Sequence, residues 1–351
     1  MVNLSRSAKG RLNMPKSNKP RLLINLPPTF FKHPMLQDQF QRLKGMASEV
    51  RTTSHNRPDE IQPDLEWAEA VVMWSWPVFD EAMLDKAKNL EYLGQINTSG
   101  TTARACLNKK IALSEARHCW SPAVAEMALT LTLTGLRKVS EYHIQMRAGK
   151  EKWVDEFPAS IDPLERELTG RSVGVVGFGG IGQRLAQLLK PFNTDLRVYD
   201  PFLPPQIAEQ SGAKSVGLKE LIASSDVVVL CAANTENARH LLGKDEINAL
   251  RKNCVLVNVG RSMLVDMKAL HERLVKGDMV AMIDVFDKEP LETDSPFRKL
   301  PNAYLTPHRS GGIMSSVVRA LTMLADDLEA HLNGKDRKYT VTEKMLPCFP
   351  G

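Results

Sequence analysis

Three segments of the chain end an apolar run on a group that can do chemistry near neutral pH. Leu256-Val257-Asn258-Val259-Gly260-Arg261-Ser262 carries a guanidinium, Ala281-Met282-Ile283-Asp284-Val285-Phe286-Asp287-Lys288-Glu289-Pro290 a carboxylate, and Leu305-Thr306-Pro307-His308 an imidazole. Reduction of a ketone by hydride transfer leaves an alkoxide that needs a proton, and histidine titrates nearest to pH 7. A carboxylate beside the ring orients it and stabilises the imidazolium. An arginine polarises the carbonyl and grips a neighbouring carboxylate. Taken singly, each residue has a plainer reading: a surface ion pair for Arg261, a solvated carboxylate for Glu289, a turn cap for His308. Of the eight histidines only His308 closes a strand beside a glycine pair, Gly311-Gly312, and the trio together is better explained by chemistry.

Such chemistry needs a hydride carrier, and a second motif supplies its seat. An expected strand, Ser172–Val176, runs into Gly177-Phe178-Gly179-Gly180-Ile181-Gly182, and a helix with Leu185, Leu188 and Leu189 on one face follows. This is GxGxxG between strand and helix. Gly177 permits the tight turn, Gly179 leaves room for a pyrophosphate, Gly182 lets helix and strand pack closely, and the helix N-terminus presents free amides and a positive dipole end. Asp200 lies 18 residues after Gly182 at the end of the next strand. Its carboxylate suits a ribose diol and repels a 2′-phosphate; Pro201 and Phe202 follow it, so NAD is expected over NADP. FAD and S-adenosylmethionine are the chemical rivals, and a glycine-rich turn beside a surface aspartate is the bland alternative.

The elements that must position these groups alternate as β and α. Strands are expected at 21–26, 70–74, 92–96 and 110–113, then at 172–176, 195–199, 226–230, 255–259, 279–284 and 303–305. Helices are expected at 35–46 and 79–88, as one long helix over 121–147 with Pro122 in its first turn, and at 315–332. The alternation implies α/β architecture with parallel sheets, whose ligands sit beyond the carboxyl ends of the strands.

Composition excludes other classes. At 351 residues the chain is long enough for two domains, and 43% hydrophobic with 25% charged residues is ordinary for a globular protein. No apolar run reaches membrane-spanning length. The net charge of +5 resides in residues 1–20, where Arg6, Lys9, Arg11, Lys16 and Lys19 face no acid; the remainder holds 41 basic and 41 acidic side chains. A nucleic-acid partner is therefore not expected. The basic start is expected as a flexible tail, with Met14 as an alternative initiator. Five cysteines, an odd count without a CxxC pair, fit a reducing cytoplasm and neither a disulfide framework nor a metal site.

With these segments in view the sequence resembles the D-isomer-specific 2-hydroxyacid dehydrogenases, a family that includes phosphoglycerate and glyoxylate/hydroxypyruvate dehydrogenases. The likeness covers roughly residues 70–335 and, more loosely, 21–70. It is carried by Val124-Ala125-Glu126, by Glu167–Ser172 leading into the glycine loop, by Thr235–Leu242, and by the three segments that bear Arg261, Glu289 and His308. The resemblance implies two Rossmann-like or flavodoxin-like parallel-sheet domains, with the NAD domain, 121–308, inserted into a substrate domain, 21–120. The helix within 309–335 returns to the latter, and 336–351 forms a second tail. It implies that Asp284 holds the nicotinamide carboxamide, that Ala232, Val259, Gly260 and Gly311 line the cofactor, and that Ser99 and Gly100 offer amides to the carboxylate of a small 2-oxoacid or 2-hydroxyacid. A homodimer built through the long helix and the arm around Trp153 is implied too. A corepressor-like NAD sensor on the same fold is the functional alternative; formate dehydrogenase fits less well because Thr306-Pro307 precedes His308 where that branch has a Gln. The sequence departs from the family at Ser262, Ala233, Thr98–Thr102 and Arg309, and Trp74 and Trp76 lie near the expected substrate turn.

Overall fold

The computed structural model describes residues 19–202 and 204–349. The expected basic tail lies outside the described residues except for Lys19 and Pro20. The chain divides into two compact units: one takes the chain up to Ala116 and again Val318–Leu346, the other takes Arg117–Val317 and the chain from Pro347.

In the first unit the order is β1 (Arg21–Asn25), α1 (Gln37–Gly45), β2 (Glu49–Thr53), α2 (Pro58–Trp67), β3 (Ala70–Met73), α3 (Glu81–Lys86), β4 (Tyr92–Gln95), α4 (Gly100–Asn108) and β5 (Ala112–Glu115). The five strands form a parallel sheet in the order β2-β1-β3-β4-β5. Strands β1, β3 and β4 are almost wholly buried and mainly apolar, as strands covered on both faces must be, with polar Asn25 and Gln95 buried at the carboxyl ends of β1 and β4. β2, with the sequence EVRTT, was not expected from the sequence; as an edge strand it pairs on one side only, with Glu49 in solvent and Arg51 half-buried between the Trp67 ring and Asp64.

The second unit contains α5 (Ser121–Arg137), α6 (Val139–Ala148), β6 (Ser172–Val176), α7 (Gly180–Leu189), β7 (Asp195–Tyr199), α8 (Pro205–Gln210), β8 (Lys214–Ser215), α9 (Leu218–Ser224), β9 (Val227–Leu230), α10 (Lys244–Ala249), β10 (Val255–Asn258), α11 (Met267–Val275), β11 (Val280–Ile283) and β12 (Ala303–Leu305). Its seven strands pair in parallel in the order β12-β11-β10-β9-β6-β7-β8. Alternate side chains of one strand feed two apolar layers. Val173 and Val175 pack with Val124, Ala128, Leu185 and Leu189, while Val176 packs with Leu221, Ile247 and Leu270. Sheet order reverses between β6 and β9, and such a switch point opens a crevice at the carboxyl ends of the strands.

Two expectations are corrected. The helix expected over 121–147 breaks at Lys138, which adopts the left-handed conformation at φ 50° and separates α5 from α6. Its ammonium pairs with Asp162 at 2.5 Å and is largely buried, a tertiary contact that the local sequence does not announce. Within the expected tail of 336–351, residues 338–341 are held against the first unit. The last helix, α12 (Met314–Leu332), carries buried Asp327, whose carboxylate accepts the N–H groups of Lys338 and Tyr339 at 2.8 and 2.9 Å. The chain then bonds β5 through Glu115 N–H to Tyr339 O and Val341 N–H to Leu113 O, which covers the sheet edge. Among the described residues no helix is long and apolar enough to cross a membrane.

Candidate active site

The glycine loop after β6 is built as its sequence requires. Gly177 stands at φ +89°, and a methyl placed there would lie 2.4 Å from Ala232 Cα, just beyond β9. A methyl on Gly182 would lie 2.5 Å from the Gly177 carbonyl oxygen, so α7 seats directly on the turn. On Gly179 it would meet nothing within 4 Å. Open space thus faces the start of α7, whose first-turn amides have no side-chain cap. An uncapped helix N-terminus over an open backbone fits the pyrophosphate of a dinucleotide. Asp200 lies at the end of β7. Its Oδ2 accepts the Phe178 N–H at 2.8 Å and its Oδ1 the Phe202 N–H at 2.9 Å. Each oxygen keeps a lone pair for a ribose hydroxyl.

The remaining expected cofactor residues follow other strands of the same sheet. Val259 is buried, so only its main chain is available. A methyl on Gly260 would lie 2.9 Å from Leu264, and one on Gly311 would lie 3.3 Å from Val124, which leaves little room for a side chain at either. Ile181 is half-buried in the first turn of α7.

His308 and Glu289 meet directly, with Nδ1 and Oε2 2.7 Å apart. Burial pushes the Glu289 carboxyl up, but hydrogen bonds from His308 and from the Phe286 N–H, followed by the charges of His308 and Arg261, outweigh it and hold the carboxyl below its ordinary range. An ionised carboxylate only accepts, so the shared hydrogen is assigned to His308 Nδ1, which leaves Nε2 outside this bond. Arg261 completes the trio through that charge on Glu289. Its exposed guanidinium donates from Nη1 to the Gly260 carbonyl at 2.7 Å.

Two residues that sequence reasoning had not placed in these tasks shape the loops. Asn258 accepts the Gly260 N–H and donates to the Arg261 carbonyl, both at 3.1 Å, and so forms the turn that presents the guanidinium. An asparagine three residues before the arginine was the available signal. Asp284 is fully buried: Oδ1 accepts the Thr306 hydroxyl at 2.6 Å and the Arg309 N–H at 2.9 Å, and Oδ2 accepts the Ser310 N–H at 2.9 Å. The resemblance gave Asp284 to the nicotinamide; in the structure its partners are the residues on both sides of His308. That anchoring accompanies a positive φ of 51° at His308, whose own N–H reaches the Asp284 carbonyl at 2.9 Å.

Ser99 and Gly100 belong to the first unit. Ser99 caps α4 by accepting the Thr102 N–H at 3.1 Å, and Glu115 fixes the preceding turn by accepting the Thr98 N–H at 3.1 Å. Trp74 packs edge-on against Phe30, with ring centroids 5.3 Å apart.

Residues 129–310 match the family model described as D-isomer specific 2-hydroxyacid dehydrogenase, NAD binding domain. Over 318 residues the chain is 28% identical to a D-3-phosphoglycerate dehydrogenase of Methanocaldococcus jannaschii, an alignment that takes in 90% of this chain and 59% of that protein. It is 31% identical over 227 residues to a glyoxylate reductase of Korarchaeum cryptofilum, covering 64% of this chain and 68% of the relative. Among the relatives compared, the chain spans only 59% and 54% of the lengths of the two archaeal D-3-phosphoglycerate dehydrogenases, that of M. jannaschii and that of Archaeoglobus fulgidus. Its fold matches a phosphoglycerate oxidoreductase from Rhizobium etli with a TM-score of 0.79 at 22% identity, over 93% of this chain and 99% of the other. A 2-hydroxyacid dehydrogenase from Ketogulonicigenium vulgare Y25 matches with a TM-score of 0.73 at 26% identity, again over 93% and 99%. The glycine loop, the strand-end trio and these likenesses agree: the chain belongs to the D-isomer specific 2-hydroxyacid dehydrogenase family.

Proposed function

We propose that the chain catalyses the NAD-dependent interconversion of a 2-oxoacid and a D-2-hydroxyacid. The observation that carries this reading is the His308–Glu289 pair, 2.7 Å apart, on loops that follow β11 and β12 at the carboxyl ends of the same parallel sheet whose β6 runs into the glycine loop. In reduction, His308 Nε2 gives a proton to the carbonyl oxygen; in oxidation it takes one from the hydroxyl. Glu289 stays ionised and offsets the charge of the protonated ring. Arg261 polarises the carbonyl and binds the substrate carboxylate. The nicotinamide, when bound, supplies or accepts the hydride at C2.

Gly177, Gly179, Gly180, Ile181 and Gly182 would hold the pyrophosphate and Asp200 the ribose. Ala232, Val259, Gly260 and Gly311 would line the cofactor by backbone contacts, with Asp284 behind the loop. Asp200 followed by Pro201 and Phe202 favours NAD over NADP, because the carboxylate repels a 2′-phosphate and neither Arg nor Lys follows it directly in the sequence. Ser99 and Gly100 are assigned to the substrate carboxylate. The working form is proposed to be a homodimer in a reducing cytoplasm, where the buried thiols of Cys106, Cys231 and Cys254 stay reduced.

The test is oxidation of NADH and of NADPH against a panel of 2-oxoacids, with the configuration of the product determined. The expected result is turnover with at least one 2-oxoacid, preference for NADH, and a D-hydroxyacid product. An L product, or no turnover across the panel, would overturn the reading.

A further inference from the structure

The segment before α5 places an imidazole against the dinucleotide loop, outside every motif considered above. A methyl built on Gly180, the first residue of α7, would lie 2.3 Å from His118 Nδ1 and 2.6 Å from the Ser121 hydroxyl oxygen. The His118 ring therefore rests on the helix end whose amides stand free, beside the open space at Gly179. The ring is partly exposed and forms no hydrogen bond or ion pair with the described residues. The groups that face it are few. Its own turn supplies Arg117, whose guanidinium also lies 4.1 Å from the Phe349 ring centroid; α5 supplies the Ser121 hydroxyl; and α7 carries no ionisable side chain before Arg184. An unpaired imidazole at this place has one natural partner, an anion seated on the start of α7.

We propose that His118 is a further cofactor-binding residue, which donates a charge-assisted hydrogen bond from its ring to the pyrophosphate of the bound dinucleotide. This rests on the dinucleotide-binding part of the function proposed above. Burial, and then the charge of Arg117, hold the free imidazole below its ordinary titration range. Both effects bias the free imidazole toward its neutral form, and the negative charge of a pyrophosphate acts in the opposite sense and draws a proton onto it. Binding should then take up protons and strengthen as pH falls.

Titration calorimetry on the full chain tests this with NADH, ADP-ribose and AMP, of which only the first two carry a pyrophosphate. At about pH 6, His118→Gln should weaken NADH and ADP-ribose roughly tenfold and leave AMP unchanged. The wild type should bind ADP-ribose more tightly at about pH 6 than at about pH 8, and the variant should lose this difference. Proton uptake on binding ADP-ribose, whose pyrophosphate does not titrate in this range, is measured in two buffers of different ionisation enthalpy and should be positive for the wild type and lost in His118→Gln. Equal ADP-ribose affinity in wild type and variant, equal weakening of AMP, or no proton uptake would overturn the proposal while the function above stands. Failure of the wild type to bind NADH or ADP-ribose would overturn both.

Discussion

At the scale of single residues, the proposed chemistry depends on how Glu289 is held. It takes one hydrogen bond from His308 and another, through Oε1, from the Phe286 N–H at 2.9 Å, so its position and its ionised state have the same cause. Its folded value lies below the ordinary 4.5, so the stability contributed by the carboxylate is present above the ordinary range and lost as pH falls through the folded value. Denaturant unfolding of the wild type and of Glu289→Gln should show a constant difference near neutrality that shrinks in acid. A difference that persists below the carboxylate range would count against this account of the pair. The meeting of His308 with Glu289, within reach of the charge of Arg261, could be anticipated because arginine, carboxylate and histidine each stand at the end of an apolar run. The work of Asp284 was not, because both the burial of a carboxylate and the loop N–H groups around it arise only when β11 and β12 lie side by side.

At the scale of elements, what close packing demands locally was legible, and what a distant contact decides was not. The glycine loop could be read because no other residue fits Gly177 or Gly182. β6 and β9 could be read because a strand buried on both faces must be apolar throughout. β2 lacks that mark, and the break at Lys138 depends on Asp162, 24 residues away. The start of α4 at Gly100-Thr101-Thr102 carries weak helix formers and was missed for the same reason. The glycines also give a paired prediction. Gly182→Ala must push α7 away from the Gly177 carbonyl, and should cost about 1–3 kcal/mol and weaken NADH binding. Gly45, in α1, has nothing within 4 Å of an added methyl, so Gly45→Ala should gain about 0.5–1 kcal/mol. Urea unfolding of both variants checks the signs; a destabilising Gly45→Ala, or a neutral Gly182→Ala, would show that the packing has been misjudged.

At the scale of the whole molecule, the apolar surface that one copy of the chain leaves exposed is concentrated on α6 and the arm after it. Ile144 is 65% exposed, Trp153 71% and Phe157 80%. A second copy that covers this surface would account for it, and an exposed apolar patch of this kind marks an interaction site. Sedimentation at micromolar concentration should give a dimer, and Trp153→Asp with Phe157→Asp should shift it toward monomer; a wild-type monomer would contradict the proposed assembly. The claim on which the rest depends is that His308 moves the proton in a 2-oxoacid reduction. The most direct measurement compares wild type and His308→Ala for steady-state reduction of the best 2-oxoacid by NADH, with NADH binding followed in parallel. The account predicts a loss of turnover on the order of 10²–10⁴-fold with NADH affinity retained. Nearly full turnover in His308→Ala would contradict it.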